Sequence, residues 1–529
     1  MSAIYDIIII GGGHNGLVAA AYLAKAGKDV LVLEQRDMLG GAAASEEIHP
    51  GFHISSGAHD AGLFLPEILE ELDLKSHGLE IIHSPVAVFA PQPDGNGLTL
   101  WRDLEKNRHE IARFSEADAE KFLEFAGLVE NLSEVLKSTL TTIPPDLNKK
   151  GLKELLPWLK SGLKLKRLGK RDMMEFLRVL PMSISEFLDD WFDSDLLKGV
   201  LSTAGVAGTR LGPMGAGTTY NYLYQHAGRS NGGFRSSRFI RGGLGKLSDA
   251  LAAFIRKSGG EVRCGAKVRE ITLSDDRASG IILEDGSIMA AKIILSNADP
   301  RRTFFDLLKP WQSGPEFVNK VRNIRFKGST AKMNLALGGL PHFAGSPDDG
   351  SLLTGHIMIC PSMEYLERAY DETKYGRFSK QPALDIVIPS LLDPALAPEG
   401  QHVMSITMQY APYELRGENW DEQRETLGET ILNTLSTCAP HIREHILYQE
   451  VITPLDWERD YGLTEGSIYH GQMALDQLLF MRPVSGYGKY RSPITNLYLC
   501  GAGTHPGGGV TGAPGYNAAK VVLKEWEQN

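Results

Sequence analysis

The 529-residue sequence is poor in the features that mark several common classes of protein. Its cysteines are Cys264, Cys360, Cys438 and Cys500, and none form a C-x-x-C pair, which argues against a zinc ribbon or a dithiol redox centre. No apolar run reaches the roughly 18 residues that span a bilayer. The sequence also lacks G-x-x-x-x-G-K-[ST], so a P-loop protein is excluded.

A surplus of positive charge is also missing. The formal net charge is -10 and the pI is about 5.9, which argues against a nucleic-acid partner. The first predicted strand begins at about Ile4, so we expect no signal or transit peptide. Together with the unpaired cysteines, this predicts a cytoplasmic protein.

Glycine, in contrast, is abundant, with 57 residues, and the first cluster follows a buried strand. Residues Ile4–Ile10 form a run that is apolar apart from Asp6 and rich in β-branched isoleucine, which is typical of a parallel strand. They run into Gly11–Gly16, a G-x-G-x-x-G turn, and then into a small-residue helix that Gly27 ends. A second strand, Val30–Leu33, ends at Glu34. This order predicts a dinucleotide-binding βαβ unit.

Each residue of the turn has a physical role in this prediction. Gly11 permits the tight turn, Gly13 lets the backbone approach a pyrophosphate, and Gly16 lets the helix pack close to the strand. The helix N-terminus offers free N–H groups to the phosphates. Glu34 would accept hydrogen bonds from the adenosine ribose hydroxyls, and it would repel a 2′-phosphate. His14 lies inside this loop, where we expect it to pack.

Two further segments indicate close contact with the same ligand. Gly40 and Gly41 follow the ribose acid and precede small residues, and Arg36, which lies between Glu34 and this pair, could reach a phosphate. At the far end of the chain, a strand leads into the glycine-rich segment Gly501–Gly515 and a final helix. A helix start can stabilise negative charge on a bound ring. The first and last segments are therefore predicted to meet on one cofactor.

The pattern along the chain predicts an α/β fold in which the dinucleotide domain is discontinuous. We predict residues 1–80, 231–325 and 486–529 as its three parts, the middle one carrying a β-meander. Helical patterns dominate residues 81–230, which we predict as a helical cap and the first part of a substrate domain. Residues 326–485 contain alternating strands and are predicted to be its second part, a mixed sheet. There, Lys332 and Asn334 share one strand face, which either lines a pocket or is solvated.

A basic segment, Lys149–Arg171, carries nine Lys and Arg residues against one acid, Glu154, in an acidic chain. Leucines and Trp158 are interleaved with the charges. This composition is typical of an amphipathic element on a membrane surface, and it also fits a helix whose leucines pack on the core. The first alternative predicts peripheral contact with the inner face of the membrane.

The histidines offer one candidate for proton transfer. His505 lies in the loop predicted to cross the cofactor ring, where it either exchanges a proton or donates to the backbone of the turn. His49, His53 and His59 are close in sequence, but Pro50-Gly51 breaks any helix that would align the first two. We therefore predict no metal site.

Taken together, these motifs resemble the FAD-dependent phytoene dehydrogenase-like family, whose members include carotenoid desaturases and retinol saturases. The resemblance rests on Gly11–Gly16 with Glu34, on Arg36 with Gly40 and Gly41, on Arg241–Gly243, and on Leu499–Gly515. It covers essentially the whole chain. Two segments, Cys360–Tyr370 and Phe480–Val484, are similar to one branch of that family.

The resemblance implies non-covalent FAD in extended form across a glutathione-reductase-like Rossmann domain, with an inserted α+β substrate domain and a helical membrane or cap region. Glu34 would bind the ribose, Val268 would face the adenine through its backbone, and Gly501 with Val510–Ala513 would lie at the pyrophosphate and isoalloxazine. The cofactor-binding residues predicted in this way are Gly11, Gly13, His14, Asn15, Gly16, Glu34, Gln35, Arg36, Gly40, Gly41, Ala42, Ala43, Val268, Gly501, Ala502, Val510, Thr511, Gly512 and Ala513.

Three hypotheses for the activity follow. The first is hydride transfer between flavin N5 and a C–C bond of a hydrophobic, isoprenoid or lipid-like substrate. Because no second βαβ unit with a G-x-G-x-x-G turn appears, a quinone or oxygen is the expected electron acceptor. The second is an FAD amine or amino-acid oxidase, which an aromatic pair at the flavin and a carboxylate-binding arginine would favour. The third is a flavoprotein with an assembly or interaction role. The oligomeric state is not predicted.

Overall fold

The computed structural model describes residues 4–145, 156–228 and 237–528. Its strands are β1 Ile4–Ile10, β2 Val30–Leu33, β3 Ser45–His49, β4 Phe52–Ser55, β5 Ile81–Ile82, β6 Val86–Ala90, β7 Leu98–Trp101, β8 Phe239–Ile240, β9 Glu261–Arg263, β10 Val268–Ser274, β11 Arg277–Leu283, β12 Ile288–Ser296, β13 Thr330–Leu337, β14 His356–Ile359, β15 Leu384–Val387, β16 His402–Gln409, β17 Ile446–Ile452 and β18 Leu497–Leu499.

The helices lie between these strands and, in one long stretch, follow one another. They are α1 His14–Lys25, α2 Pro66–Glu71, α3 Leu104–Ala112, α4 Glu116–Leu140, α5 Leu156–Arg167, α6 Gly169–Val179, α7 Ile184–Asp189, α8 Asp195–Val206, α9 Thr218–His226, α10 Gly245–Lys257, α11 Pro315–Arg322, α12 Met363–Lys374, α13 Trp420–Ser436, α14 Ile442–His445, α15 Pro454–Arg459 and α16 Ala513–Trp526.

The first sheet is a Rossmann-type sheet assembled from distant parts of the chain. Its order is β10-β11-β12-β1-β2-β9, and β18 pairs with β12. β1 is parallel to both β2 and β12, whereas β10, β11 and β12 form an antiparallel meander. Residues Ile7–Ile10 of β1 and all of β2 are buried, as parallel strands covered on both faces require. The predicted βαβ unit, the meander and the α/β class are thereby confirmed.

The second sheet is mixed and has the order β17-β13-β16-β15-β14-β6-β7. On its buried face, Met333, Leu335 and Leu337 of β13 join a core that α13 covers. The other face of β13 carries Lys332 and Asn334, both of which are buried, so the solvated alternative is wrong. This face points towards the first sheet.

Residues 81–230, in which helical patterns dominate, also contain short strands. β6 and β7 lie within this range and form the edge of the second sheet, where β6 pairs in parallel with β14. The two strands are short and their partner lies more than 250 residues later in the chain, so no local pattern marks the pairing.

The described part of the basic segment forms α5 and the beginning of α6; residues 149–155 lie outside the described part of the chain. Leu165 and Leu168 pack on the main core, and the indole N–H of Trp158 donates to the Ile143 carbonyl at 3.0 Å. The opposite side exposes four large apolar side chains: Leu159, Leu163, Met174 and Leu177. Searching the described residues reveals no helix long and apolar enough to span a membrane.

Candidate functional site

A cavity of about 540 Å³ extends from the first glycine loop to the second sheet. At one end it is lined by the loops that follow β1 and β2, and at the other by side chains of β13 to β16. The cavity therefore lies between the two sheets. Residues from the beginning, middle and end of the chain contribute to its wall.

The geometry of the first glycine loop explains why glycine is needed there. Gly11 has a φ of +98°, which L side chains rarely adopt. A Cβ on Gly16 would collide with the Gly11 carbonyl oxygen, so this glycine permits the close packing of α1 on the turn. Gly13 is the N-cap of α1 and lines the cavity, where its backbone is accessible to a ligand.

Glu34 is held at the cavity wall by the backbone. Its carboxylate accepts hydrogen bonds from the Gly12 N–H at 2.7 Å and the Arg36 N–H at 2.9 Å. Its side chain is buried, and burial raises the pKa of the carboxyl group. Val268 is brought to the same end of the cavity, since the Ala266 N–H donates to the Glu34 carbonyl at 2.8 Å.

Two side chains at this end present polar atoms without a protein partner among the described residues. Arg36 is paired with Glu46 at 2.9 Å and lies over the Tyr461 ring at 4.5 Å, yet its buried Nη1 has no acceptor. His14 has an unpartnered Nε2, and burial lowers its pKa to about 4, so the ring is neutral. Both line the cavity, where an anionic ligand would accept from the Arg36 guanidinium.

The second glycine pair is tied directly to the first loop. Gly40 and Gly41 have φ values of +112° and +56°, and the Gly40 N–H donates to the Gly12 carbonyl at 2.9 Å. Both glycines line the cavity, and so do four more of the predicted cofactor residues: Asn15, Gln35, Ala42 and Ala43.

The C-terminal segment divides into lining and supporting residues. Ala502 and Val510 line the cavity. Gly501, Thr511, Gly512 and Ala513 are not part of the described lining, and neither is Gly16. A Cβ on Gly501 would lie 2.5 Å from the Asn297 carbonyl oxygen, so this glycine permits the chain to pass β12 closely. Gly512, at φ +73°, begins α16, which packs beside α1.

His505 lies away from the described cavity wall. Its Nε2 is 2.9 Å from the Thr139 carbonyl, and its own carbonyl accepts from the Tyr490 hydroxyl at 2.7 Å. Burial lowers the pKa of its ring to about 4. These contacts fit the backbone-bonding alternative, and proton transfer by His505 stays a prediction that the geometry does not favour.

The second sheet presents a polar face to the cavity, and its register explains which residues meet there. Lys332 is opposite Thr407, Thr407 is opposite Asp385, and Asp385 is opposite Met358. Opposed residues share a face, as do residues two positions apart, so His356 lies beside them. The predicted cavity-lining residues did not include Asp60, His356, Asp385 or Thr407. His59-Asp60, in a Gly/Ser/His loop, was the one visible signal.

Lys332 is a buried cation on that face. Its Nζ donates to the Ser55 and Gly57 carbonyls, each at 2.8 Å, and burial lowers its pKa to about 7. Asn334 shares the face but is not part of the described lining; it bonds Glu450 at 2.9 Å and Ser405 at 2.9 Å. Of the two predicted pocket residues, Lys332 alone reaches the cavity.

These residues fit a dinucleotide cofactor. Glycine backbone at a helix N-terminus, a buried carboxylate and unpartnered donors together form a cradle that a Cβ would fill or disturb at Gly11, Gly13 and Gly40. Glu34 would hold the ribose, and Arg36 would reach the phosphates.

Comparisons with known proteins agree with the site. Residues 16–523 match the family described as flavin-containing amine oxidoreductase. The chain is 36% identical to pyridine nucleotide-disulfide oxidoreductase domain-containing protein 2 of Rattus norvegicus, over 98% of this chain and 94% of the relative. All four cysteines are free.

Two relatives with named activities also match along the whole chain. Identity is 28% to a subunit of the limonene dehydrogenase of Castellaniella defragrans, over 99% of this chain and 95% of the relative. Identity to the lycopene-forming phytoene desaturase of a Paracoccus species is 26%, over 98% of this chain and 97% of the relative. The resemblance to phytoene dehydrogenase-like enzymes and the FAD prediction are thus confirmed. The chain belongs to the flavin-containing amine oxidoreductase family and is an FAD-dependent oxidoreductase.

Proposed function

We propose that this oxidoreductase transfers a hydride between flavin N5 and a C–C bond of a hydrophobic, isoprenoid or lipid-like substrate. The observation that carries the proposal is the continuous cavity, which joins the cofactor loops to an apolar wall. That wall is formed by Leu63, Val206, Met358 and Leu366. The names of the limonene and phytoene relatives support the same substrate class.

The flavin supplies the hydride acceptor, and the protein supplies orientation and a water-poor surrounding. Apolar side chains contribute to the part of the wall beyond the flavin loops, so a hydrocarbon chain can be bound there by burial. Lys332 and Asp385 lie on the same wall and limit how far that apolar surface extends.

The amine-oxidase alternative is less well supported by the lining. Tyr469 is the one aromatic ring among the described lining residues near the apolar wall, whereas Trp457 and Tyr461 lie towards Arg36. The lining arginines, Arg36, Arg269 and Arg302, accompany the cofactor loops. The described lining therefore offers no arginine at the apolar wall to bind a substrate carboxylate.

Anaerobic mixing tests the proposal directly. We expect limonene or phytoene, supplied in liposomes, to bleach the visible absorption band of the bound flavin, and cyclohexylamine and putrescine to leave it unchanged. Bleaching by an amine alone would contradict the proposal and establish the oxidase alternative. A flavin that no donor reduces, yet which dithionite bleaches, would favour the interaction role.

The electron acceptor is proposed to be a quinone or oxygen, because the sequence contains no second βαβ unit with a G-x-G-x-x-G turn for a nicotinamide nucleotide. After anaerobic reduction, addition of air or of a water-soluble quinone should restore the oxidised flavin spectrum. Restoration by NADP⁺ or NAD⁺ alone would overturn this part of the proposal.

We also propose that α5 and α6 bind an anionic membrane surface from the cytoplasmic side. The exposed apolar residues Leu159 and Leu163 lie on the same element as Lys164, Lys166 and Arg167, all of which are exposed. Apolar side chains that enter the lipid interface, flanked by cations that face acidic headgroups, are typical of interfacial helices. No residue of the described part of this segment lines the cavity, so its role would be attachment.

Substitution of Leu163 by glutamate is expected to abolish co-sedimentation with vesicles that contain phosphatidylserine, because it places a carboxylate at the apolar–lipid contact. Leu447→Glu, at a leucine on β17 that is 52% exposed, compared with 53% for Leu163, is the matched control and should bind as the wild type does. The membrane proposal would be refuted if Leu163→Glu and Leu447→Glu bound the vesicles equally. It would also be refuted if the wild type bound neutral vesicles as well as those that contain phosphatidylserine.

A further inference from the structure

Three ionisable side chains meet on the cavity wall and are not explained by cofactor binding. His356 Nδ1 lies 2.7 Å from Asp385 Oδ1, and His356 Nε2 lies 3.0 Å from Asp60 Oδ2. The histidine side chain is 1% exposed and the aspartates 15% and 18%. All three line the cavity, and we call them the Asp–His–Asp triad.

The triad is built from both halves of the fold. Asp60 follows β4, in the stretch that leaves the cofactor loops, and its Oδ1 accepts from the Gly62 N–H at 2.5 Å. His356 and Asp385 lie on the neighbouring antiparallel strands β14 and β15. The triad thus stands where the cofactor domain meets the substrate sheet.

The donor and acceptor roles of these groups favour an additional proton on the triad. A neutral imidazole has one N–H and one lone pair, and an ionised carboxylate only accepts. Both ring nitrogens of His356 face carboxylate oxygens at hydrogen-bond distance. If the ring were neutral and both carboxylates ionised, the lone pair of the unprotonated nitrogen would point at an oxygen and repel it. An imidazolium between two carboxylates satisfies both contacts.

Other charged and titratable groups surround this arrangement. The His59 ring centroid lies 6.0 Å from that of His356, and burial lowers the pKa of His59 to about 3, so it stays neutral. Lys332 faces Asp385 and His59, and the guanidinium groups of Arg102 and Arg238 lie near Asp60. His59 also lines the cavity, and its buried Nδ1 has no partner among the described residues.

We propose that the Asp–His–Asp triad is the acid–base centre of the cavity, which exchanges a proton with the substrate carbon adjacent to the one that exchanges hydride. This inference rests on the proposed function. In dehydrogenation, one C–H bond breaks and its hydrogen leaves with both electrons to the oxidised flavin, which is reduced. The neighbouring C–H bond breaks, its electrons form the new C–C π bond, and its proton passes to a carboxylate of the triad. Saturation runs these steps backwards.

The protonation state can be measured without a substrate. In ¹⁵N-histidine NMR spectra of the FAD-loaded protein at pH 8, we expect one ring with both nitrogens protonated, and its signals should be lost in His356→Gln. Asp385→Asn should convert that ring to the neutral form. A neutral His356 ring in the wild type would overturn the proposal.

The role in catalysis is tested with the same variants. His356→Gln should retain FAD and remain reducible by light and EDTA, while its reduction by limonene or phytoene becomes slower by about 10²-fold, the usual contribution of general acid–base catalysis. Asp385→Asn should slow the same reaction, and Asp385→Glu, which keeps the carboxylate, should react faster than Asp385→Asn. His402→Gln, at a half-buried histidine of the same sheet that bonds Ser390 at 3.1 Å, is the control and should react at the wild-type rate.

The outcomes separate the two proposals. If an isoprenoid bleaches the wild type and His356→Gln equally fast, the triad proposal fails and the proposed function stands. If no isoprenoid bleaches the wild type, the proposed function fails, and the NMR spectrum decides the triad by itself. Photoreduction of the bound flavin in every variant shows that a slow reaction is not due to lost cofactor.

Discussion

Replacement of Gly13 by glutamate is expected to give a folded protein that has lost FAD. A Cβ at this position would lie 2.9 Å from Asn297 Nδ2, so the loop would have to shift. The carboxylate would also occupy the N-terminus of α1, where the helix dipole favours the cofactor phosphates, and would repel them. We expect FAD affinity to fall by at least about 10²-fold, or about 2.8 kcal/mol.

The measurement is flavin absorbance after gel filtration, followed by titration of the apoprotein with FAD. Gly127→Glu is the control, because Gly127 is exposed within α4 and a Cβ there would meet nothing within 4 Å. It should retain FAD. Wild-type cofactor retention by Gly13→Glu, with an unchanged circular dichroism spectrum, would show that the phosphates bind elsewhere.

Replacement of Arg482 by methionine is expected to have the largest effect on stability. The guanidinium is buried and donates to carbonyls of one loop and one strand end: Ala502 at 2.9 Å, Tyr469 at 2.5 Å, Gly471 at 3.2 Å, Gln477 at 3.3 Å and Gln472 at 3.4 Å. Methionine fills similar space but removes the buried donor that these carbonyls share, and the Ala502 and Gly471 carbonyls lose the guanidinium contact that holds them. The free energy of unfolding should fall by at least about 3 kcal/mol.

Denaturant titration followed by circular dichroism measures that loss. Because Tyr469 and Ala502 line the cavity, loosening of this loop should also weaken FAD binding in the fraction that folds. Arg459→Met is the matched control, because Arg459 is about half exposed and pairs with Asp421 at the surface. The denaturation midpoint of this variant should match that of the wild type. A stable Arg482→Met protein would show that the carbonyls find other donors.

The cofactor half of the site was predictable because its signals are local. A buried strand, a glycine turn, a small-residue helix and Glu34 lie within 31 residues, from Ile4 to Glu34, and each constrains its neighbours through backbone geometry. The segment around Gly501 was found in the same way, from a strand, glycines and a helix start. Residues such as Gly16 and Gly512 were grouped with the ligand contacts, and the described cavity lining does not include them.

The substrate half could not be predicted in the same way. Asp385 stands in a four-residue strand with no motif, and its place on the cavity wall depends on the pairing of β15 with β14 and β16. Lys332 is directed inwards for the same reason. Sheet register between segments far apart in sequence leaves no local trace, since it is set by packing on both faces.

The sequence alone therefore determined the family, the cofactor and the position of its phosphate loop, because these depend on short stretches whose backbone conformation is encoded residue by residue. Only the tertiary structure decided which polar groups line the cavity beyond the cofactor loops. Asp60 and His356 are separated by 296 residues and come from different halves of the fold. Their contact exists only when the two sheets pack, because neither residue has a local partner in sequence that would bring the other to it.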